Sequence, residues 1–252
     1  MIQAQRSLRF EKIFALYNDR YLLRRNFHSF GVRGNIDPVA EGRPVIYLMN
    51  HSSWWDGLVV FHAVMRLSSR KHYLMMDELQ MKRYPFFRKI GAFSVDKTGA
   101  RSVMESLRYA EDLLKDGKPV WLFPQGDIYP LERRPLKFSG GAAYLLERHP
   151  EAVIQPVTAY YSLTMHQKPD VSLFFGCPQQ GECDDISRKE ATSALERMLE
   201  MQLEEHRKQV IAGNGRASET DFRSLLRGNQ SVSDTFYGFK RGVAKWSSFF
   251  GR

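Results

Sequence analysis

The chain contains 252 residues, of which 43% are hydrophobic and 26% are charged, and its formal net charge is +9 at pH 7. This length suits one α/β domain with a sizeable core and short appendages. Its two cysteines, Cys177 and Cys183, are too few and too isolated for a zinc site. Since neither a signal peptide nor a run of about 18 apolar residues is visible, we expect a cytoplasmic protein with reduced thiols.

The first predicted element is a basic amphipathic helical segment over residues 1–33. It holds seven Lys or Arg residues against two acidic residues, and aromatic side chains recur at helical spacing at Phe10, Phe14, Tyr17 and Tyr21. Basic helices with aromatic side chains suit the interface of an anionic bilayer. Packing of this face against the core, with its charges solvated, is an equal alternative.

Strand-like and helix-like patterns alternate through residues 34–211. Strands are predicted at 44–49, 72–76, 92–95, 119–123, 152–159 and 171–175, and the clearest helices at 54–66, 100–115, 140–148 and 187–210. This alternation predicts a single α/β domain with a central mixed β-sheet flanked by helices, to which amphipathic terminal helices are added.

His51 and Asp56 follow the first strand of this domain, where α/β sheets usually carry their chemistry. A neutral imidazole takes a proton from a hydroxyl near pH 7, and a carboxylate holds the ring in the required tautomer. On a continuous helix the two side chains would point about 140° apart, so they meet only if His51 lies in the turn. Ser52 and Ser53 are suitable N-cap residues for the helix that follows. The alternative interpretation is a turn histidine beside a cap-region acid.

Four stretches of the sequence resemble, in order and rough spacing, the motifs of the glycerolipid acyltransferases, the family that includes lysophosphatidic acid acyltransferase and glycerol-3-phosphate acyltransferase. The first is Asn50-His51 with Asp56, the second is GAFSVDK at 91–97, the third is VWLFPQGDIYP at 120–130 and the fourth is VIQPV at 153–157. The resemblance covers residues 44–160 and implies an acyltransferase domain over residues 34–211.

The resemblance implies an enzyme that uses acyl-CoA or acyl carrier protein as donor, a lysophospholipid or related lipid as acceptor, and no metal or cofactor. His51 is then the general base and Asp56 its orienting carboxylate, with backbone N–H groups around Gly126 as candidate oxyanion donors. No hydrolase serine motif, phosphate-binding glycine loop or zinc helix accompanies them, so we expect direct transfer without an acyl-enzyme. The candidate substrate-binding residues are Asn50, Ser52, Lys97, Arg101, Phe123, Pro124, Gln125, Gly126, Arg133 and Arg134.

The third motif departs from the family pattern. Gln125 replaces the usual glutamate, and Asp127 and Ile128 stand where an arginine for the acceptor phosphate is expected. Arg133 and Arg134 are candidate replacements for that arginine, or are ordinary loop residues. Glutamine keeps the hydrogen-bonding capacity of glutamate but lacks its charge. Two alternatives therefore stay open. The protein is an acyltransferase for a phosphate-free glycosylated lipid such as a carotenoid glycoside, or it is a non-catalytic relative that binds lipid surfaces.

The C-terminal part is predicted to be a linker over residues 212–232, rich in Gly, Ser, Asn and Arg, followed by a basic amphipathic helix over 233–252. Apolar residues at helical spacing, flanked by lysines and an arginine, predict that this helix contacts an anionic membrane surface: Phe236, Phe239, Val243, Trp246 and Phe250. The expected location is therefore peripheral, on the inner face of a membrane. No nucleic-acid-binding motif accompanies the charge, so nucleic acid is not an expected partner.

Overall fold

The computed structural model describes residues 1–180, 186–213, 222–233 and 236. Cys183 and all but two residues of the helix predicted at 233–252 lie outside the described residues. What the structure describes is one α/β domain with a central sheet flanked by helices, as the alternating pattern predicted.

The sheet is mixed. Its strands are β1 (Ser29–Arg33), β2 (Val45–Met49), β3 (Tyr73–Asp77), β4 (Ala92–Val95), β5 (Val120–Leu122), β6 (Val153–Ser162), β7 (Asp170–Phe175), β8 (Gln179–Gln180) and β9 (Arg223–Arg227). Their order is β4-β3-β5-β2-β6-β7-β1-β9, with β8 paired to β6. Neighbours from β4 to β6 are parallel, whereas β7 runs antiparallel to β6 and β9 antiparallel to β1.

The helices flank this sheet. They are α1 (Leu8–Tyr17), α2 (Arg24–Asn26), α3 (Asp56–Leu67), α4 (Glu78–Arg83), α5 (Ala100–Lys115), α6 (Gly141–Arg148) and α7 (Arg188–Ala212), with a π-helical turn at Asn18–Leu23 and a 3₁₀ turn at Pro85–Ile90. A reciprocal pair of hydrogen bonds between Ser187 and Glu190 caps the start of α7. Among the described helices, none combines the length and the apolar character needed to cross a bilayer.

Strand β2 lies at the centre of the sheet and all five of its residues are buried. Because side chains alternate across a strand, Val45, Tyr47 and Met49 join one hydrophobic cluster, while Ile46 and Leu48 join another on the opposite face. Burial on both faces fixes the position of the strand's carboxyl end, and Asn50 and His51 follow directly after it.

Two predicted boundaries are corrected by the sheet. Residues 29–33, assigned to the helical N-terminal segment, form β1, and residues 223–227, assigned to the linker, form β9. β1 pairs with β9 and with β7, whose first residue, Asp170, lies opposite Ser29. Each of these strands has only five residues, two of them large and apolar, so their sequences carry little periodic signal.

The N-terminal helix was predicted either to contact a membrane or to pack on the core, and the two faces of α1 differ in a way that supports each. Phe14 is buried and packs with Phe61 and Phe87 in a third cluster, so one face docks on the core. The opposite face is exposed: Leu8, Ile13 and Leu16 have relative exposures of 66%, 67% and 53%.

Candidate active site

The turn that carries His51 is held to strand β6 by Asn50. The side chain of Asn50 accepts from the Ala159 N–H at 2.8 Å and donates to the Ala159 carbonyl at 3.1 Å. Asn50 was predicted to bind substrate, but in the structure both ends of its amide are used on the backbone. The Tyr129 N–H, from the loop that follows the third motif, donates to the His51 carbonyl at 3.0 Å.

His51 and Asp56 meet as the sequence predicted. Nδ1 of His51 lies 2.8 Å from Oδ2 of Asp56; the carboxylate is fully buried, whereas the imidazole keeps 20% of its surface exposed. A carboxylate at this distance accepts from Nδ1–H, so the lone pair of Nε2 faces outward. Among the described residues, Nε2 has no hydrogen-bond partner. This nitrogen is therefore available to take a proton from a bound hydroxyl.

The start of helix α3 differs from the expected serine cap. The N-cap residue is Trp55, and Asp56 is the first helical residue. The Ser52 and Ser53 N–H groups donate to Asp56 Oδ2 at 2.8 and 2.9 Å. These N–H groups need an acceptor ahead of the helix, so the carboxylate organises the turn while it orients His51.

Tyr161 was missed by the sequence analysis. Its hydroxyl donates to Oδ1 of Asp56 at 2.6 Å. Burial, together with the neighbouring Asp56 charge, raises the pKa of Tyr161 well above its usual value, so the phenol stays protonated and donates. The predicted strand ended at residue 159, whereas β6 continues to Ser162. Even the correct strand would not have shown which residue the hydroxyl contacts.

Two residues of the third motif contact His51 directly. The ring of Phe123 stacks on the imidazole, with centroids 4.3 Å apart and planes 17° apart. Oε1 of Gln125, a residue only 8% exposed, accepts from the His51 N–H at 2.7 Å. A backbone N–H can only donate, so this contact fixes the orientation of the amide and leaves the Nε2 hydrogens for another acceptor. Pro124 is buried, and its carbonyl accepts from Ser139.

Gly126 forms the turn that follows Gln125. Its φ of +80° lies in the region that glycine adopts without strain. Its N–H donates to the Phe123 carbonyl at 2.9 Å. The N–H groups around Gly126 were expected to stabilise an oxyanion. The N–H of Gly126 itself does not do so, because it already donates within the turn.

Lys97 lies among acidic groups. Its ammonium is 2.7 Å from Asp127 and 3.3 Å from Asp77, and it also donates to the Gly126 carbonyl. Burial by itself lowers the pKa of Lys97, but the bond to Asp127 and the two carboxylate charges raise it overall. The cation joins the third-motif loop to β3 and is already neutralised by these carboxylates, which argues against its predicted role in binding substrate.

The three candidate arginines differ in their surroundings. Arg101 is exposed in the first turn of α5. Arg134 donates to the carbonyls of Leu131 and Arg133. The Arg133 guanidinium lies 3.9 Å from the centre of the Tyr129 ring. In the described part of the chain it pairs with no carboxylate, so its donors remain free for an anion.

Two other histidines, His62 and His206, are buried away from this site. Burial lowers the pKa of His62 to about 4 and that of His206 to about 3, so both are neutral near pH 7. His206 lies within hydrogen-bond distance of Thr158 and Ser172. Among the residues described, no group of His, Cys, Asp or Glu is arranged to hold a metal ion.

Comparison with known proteins gives the family and the fold of this chain. A family model described as acyltransferase matches residues 32–160, just over half of the chain. Among solved structures, the chain is similar to the 1-acyl-sn-glycerophosphate (LPA) acyltransferase PlsC from Thermotoga maritima, with a TM-score of 0.53, 18% identity, and coverage of 78% of this chain and 77% of that one. A search of curated protein sequences gave no significant match. At this identity the structural similarity supports the fold alone.

Proposed function

Because this chain belongs to the acyltransferase family, we propose that it is a peripheral membrane O-acyltransferase that moves a fatty acyl group from a thioester to a hydroxyl of a lipid acceptor. The observation that carries the proposal is the His51–Asp56 pair, with Nδ1 held by a buried carboxylate and Nε2 directed outward. A module that only binds lipid has no need of such a pair.

In the proposed reaction, Nε2 of His51 removes the proton of the acceptor hydroxyl. The oxygen attacks the thioester carbonyl, the C–S bond breaks after the tetrahedral intermediate forms, and the thiolate takes the proton from the imidazolium. The Asp56 carboxylate stabilises the imidazolium between these two transfers. The donor is acyl-CoA or acyl carrier protein, since both present the same thioester to His51.

A phosphate-bearing lysophospholipid is the acceptor class that Arg133 favours. The planar guanidinium binds phosphate through two parallel hydrogen bonds, and that of Arg133 pairs with no carboxylate in the described chain. Arg133 stacks on Tyr129, whose N–H donates to the His51 carbonyl, so the cation belongs to the loop that contacts the turn of the base.

A second candidate acceptor is a phosphate-free glycoside, and Gln125 is the observation that favours it. The Nε2 hydrogens of its amide are unused in the contact with His51. A neutral donor beside the base suits a sugar oxygen, although it also suits a phosphate oxygen.

The proposed membrane contact is supported by the exposed face of α1. Leu8, Ile13 and Leu16 are exposed there, and Arg9, Lys12 and Arg20 are exposed on the same segment. Apolar side chains with adjacent cations suit the surface of an anionic bilayer, and each cation adds about 1 kcal/mol near that surface. We place the protein on the inner face of a membrane, and the helix predicted at 233–252 remains a second proposed contact.

Thiol release by the purified full chain tests this function. A free-thiol reagent would follow consumption of acyl-CoA and of acyl carrier protein thioester, with lysophosphatidic acid or an alkyl glucoside as acceptor. We expect release that requires an acceptor and disappears in His51→Ala, shown folded by circular dichroism. Vesicle binding without thiol release from any donor and acceptor pair would instead support the non-catalytic alternative.

A further inference from the structure

We propose that Tyr161 is a positioning residue for the base, because its hydroxyl holds the Asp56 carboxylate so that Oδ2 faces Nδ1 of His51. This inference rests on the proposed function. Tyr161 lies outside the four motifs on which the sequence analysis relied.

The two oxygens of Asp56 have unequal surroundings. Oδ2 accepts from the Ser52 N–H, the Ser53 N–H and His51 Nδ1. In the described structure, Oδ1 accepts from the Tyr161 hydroxyl alone, at 2.6 Å. Rotation of the carboxylate about its Cβ–Cγ bond would move both oxygens together. The bond from Tyr161 therefore restrains the same torsion that aims Oδ2 at the imidazole.

Strand β6 anchors the active-site turn at two points. The backbone of Ala159 holds the Asn50 side chain, and two residues further along the hydroxyl of Tyr161 holds Asp56. β6 pairs with β2 through residues 153–157 and with β7 through residues 157–162, so both anchor points belong to a strand bonded within the sheet. His51 is thus fixed before and after the turn by one strand.

The hydroxyl and the ring of Tyr161 have separable roles. The ring lies 6.1 Å from that of Phe27 and packs against the core cluster, and phenylalanine would keep these contacts. The hydroxyl donates to a buried negative charge, which makes the hydrogen bond stronger than one between neutral groups. Replacement by phenylalanine therefore removes the bond to Asp56 and leaves the packing.

The experiment compares Tyr161→Phe with Tyr160→Phe in the full chain, using thiol release with lysophosphatidic acid and the alkyl glucoside. Tyr160 is the adjacent residue on β6, and its hydroxyl contacts Glu132 at 3.4 Å, away from the base. For Tyr161→Phe we expect kcat to fall about tenfold, the change that corresponds to one lost hydrogen bond to a charged group, with KM nearly unchanged. We expect Tyr160→Phe to retain the wild-type kcat and KM.

A folded Tyr161→Phe variant whose kcat matches that of the wild type overturns the positioning role. In an Asp56→Asn background, Tyr161→Phe is expected to have little further effect, and a full additional loss would mean that it does not act through Asp56. If Tyr161→Phe does not fold, 4-fluorophenylalanine at position 161 fills the space of the hydroxyl but cannot donate to Asp56. The kcat value should then also fall about tenfold, and an unchanged kcat overturns the proposal.

Failure of this inference is distinguishable from failure of the proposed function. A wild-type protein that releases no thiol, or a His51→Ala variant with full activity, contradicts the function itself. An inactive His51→Ala beside a normal Tyr161→Phe contradicts only the role of Tyr161.

Discussion

Oε1 of Gln125 accepts a hydrogen bond from the His51 N–H at 2.7 Å, across 74 residues of sequence. The contact joins the third-motif loop to the residue that carries the imidazole. A glutamate at this position keeps an acceptor for the N–H but lacks the Nε2 donor. The departure from the family motif therefore changes what this side chain offers to substrate, while its bond to the backbone can be kept.

Gln125→Glu is predicted to separate these two roles. The bond to the His51 N–H is retained, whereas the donor to the acceptor substrate is lost, so we expect a higher KM for the acceptor that this amide binds. Gln125→Leu also leaves the buried N–H unsatisfied, at a cost of about 1–3 kcal/mol, and should impair every acceptor. KM and kcat for lysophosphatidic acid and the alkyl glucoside show which acceptor depends on Nε2. If Gln125→Glu left KM unchanged for both acceptors, the proposed hydrogen bond from Gln125 Nε2 to the acceptor would be excluded.

The base pair gives the largest predicted effect on rate. His51→Ala should lower turnover at least 100-fold, on the scale of a lost general base, and Asp56→Asn by a smaller but still large factor. An asparagine oxygen can accept from the Ser52 and Ser53 N–H groups, so the turn is expected to persist in Asp56→Asn. Single-turnover thiol release, with circular dichroism as the folding control, measures the loss. Near wild-type turnover by folded His51→Ala would show that the mechanism is wrong.

Arg133 is predicted to bind the acceptor phosphate, and Arg134 provides a matched control. Arg133→Gln should raise KM for lysophosphatidic acid about tenfold or more, because a charged hydrogen-bonding pair is lost, and should leave the alkyl glucoside unaffected. Arg134→Gln removes two bonds to loop carbonyls and should affect both acceptors alike. If Arg133→Gln leaves KM for lysophosphatidic acid unchanged, the phosphate is bound elsewhere.

Lys97→Met is predicted to loosen the third-motif loop without any preference for an acceptor. The ammonium lies between Asp77 and Asp127, so its loss removes the cation shared by these two carboxylates. Because the site is partly exposed, the loss in free energy of unfolding should stay within about 1 kcal/mol. Thermal unfolding and kcat for both acceptors test this. A KM increase confined to the phosphate-bearing acceptor would instead restore Lys97 as a phosphate ligand.

Membrane binding through α1 is predicted to depend on its exposed apolar residues. Ile13→Glu with Leu16→Glu should weaken co-sedimentation with anionic vesicles at least tenfold, because apolar contact is lost and negative charge is added. Met201→Glu, at a residue 74% exposed on α7, is the control and should bind normally. Deletion of 233–252 tests the other proposed contact separately. Equal binding by the α1 double variant and the wild type would remove α1 from the membrane surface.

Local pattern was sufficient for much of the fold. Every predicted core strand and helix is present, with bounds that differ by at most three residues. A continuous apolar run identified β2, because a strand buried on both faces carries apolar side chains at successive positions. By contrast, β1 and β9 were assigned to other elements, because each has five residues and only two large apolar side chains among them.

The sequence by itself determined that a histidine follows β2 and that a carboxylate comes five residues later. It also predicted a turn in which the two side chains meet, because short spacing limits where side chains can point. Only the tertiary structure decided what surrounds them. Tyr161 reaches Asp56 across 105 residues, Phe123 stacks on His51, and Lys97 is neutralised by acids from other elements. Such contacts depend on how strands are ordered and how loops pack above them, and no local period encodes that arrangement.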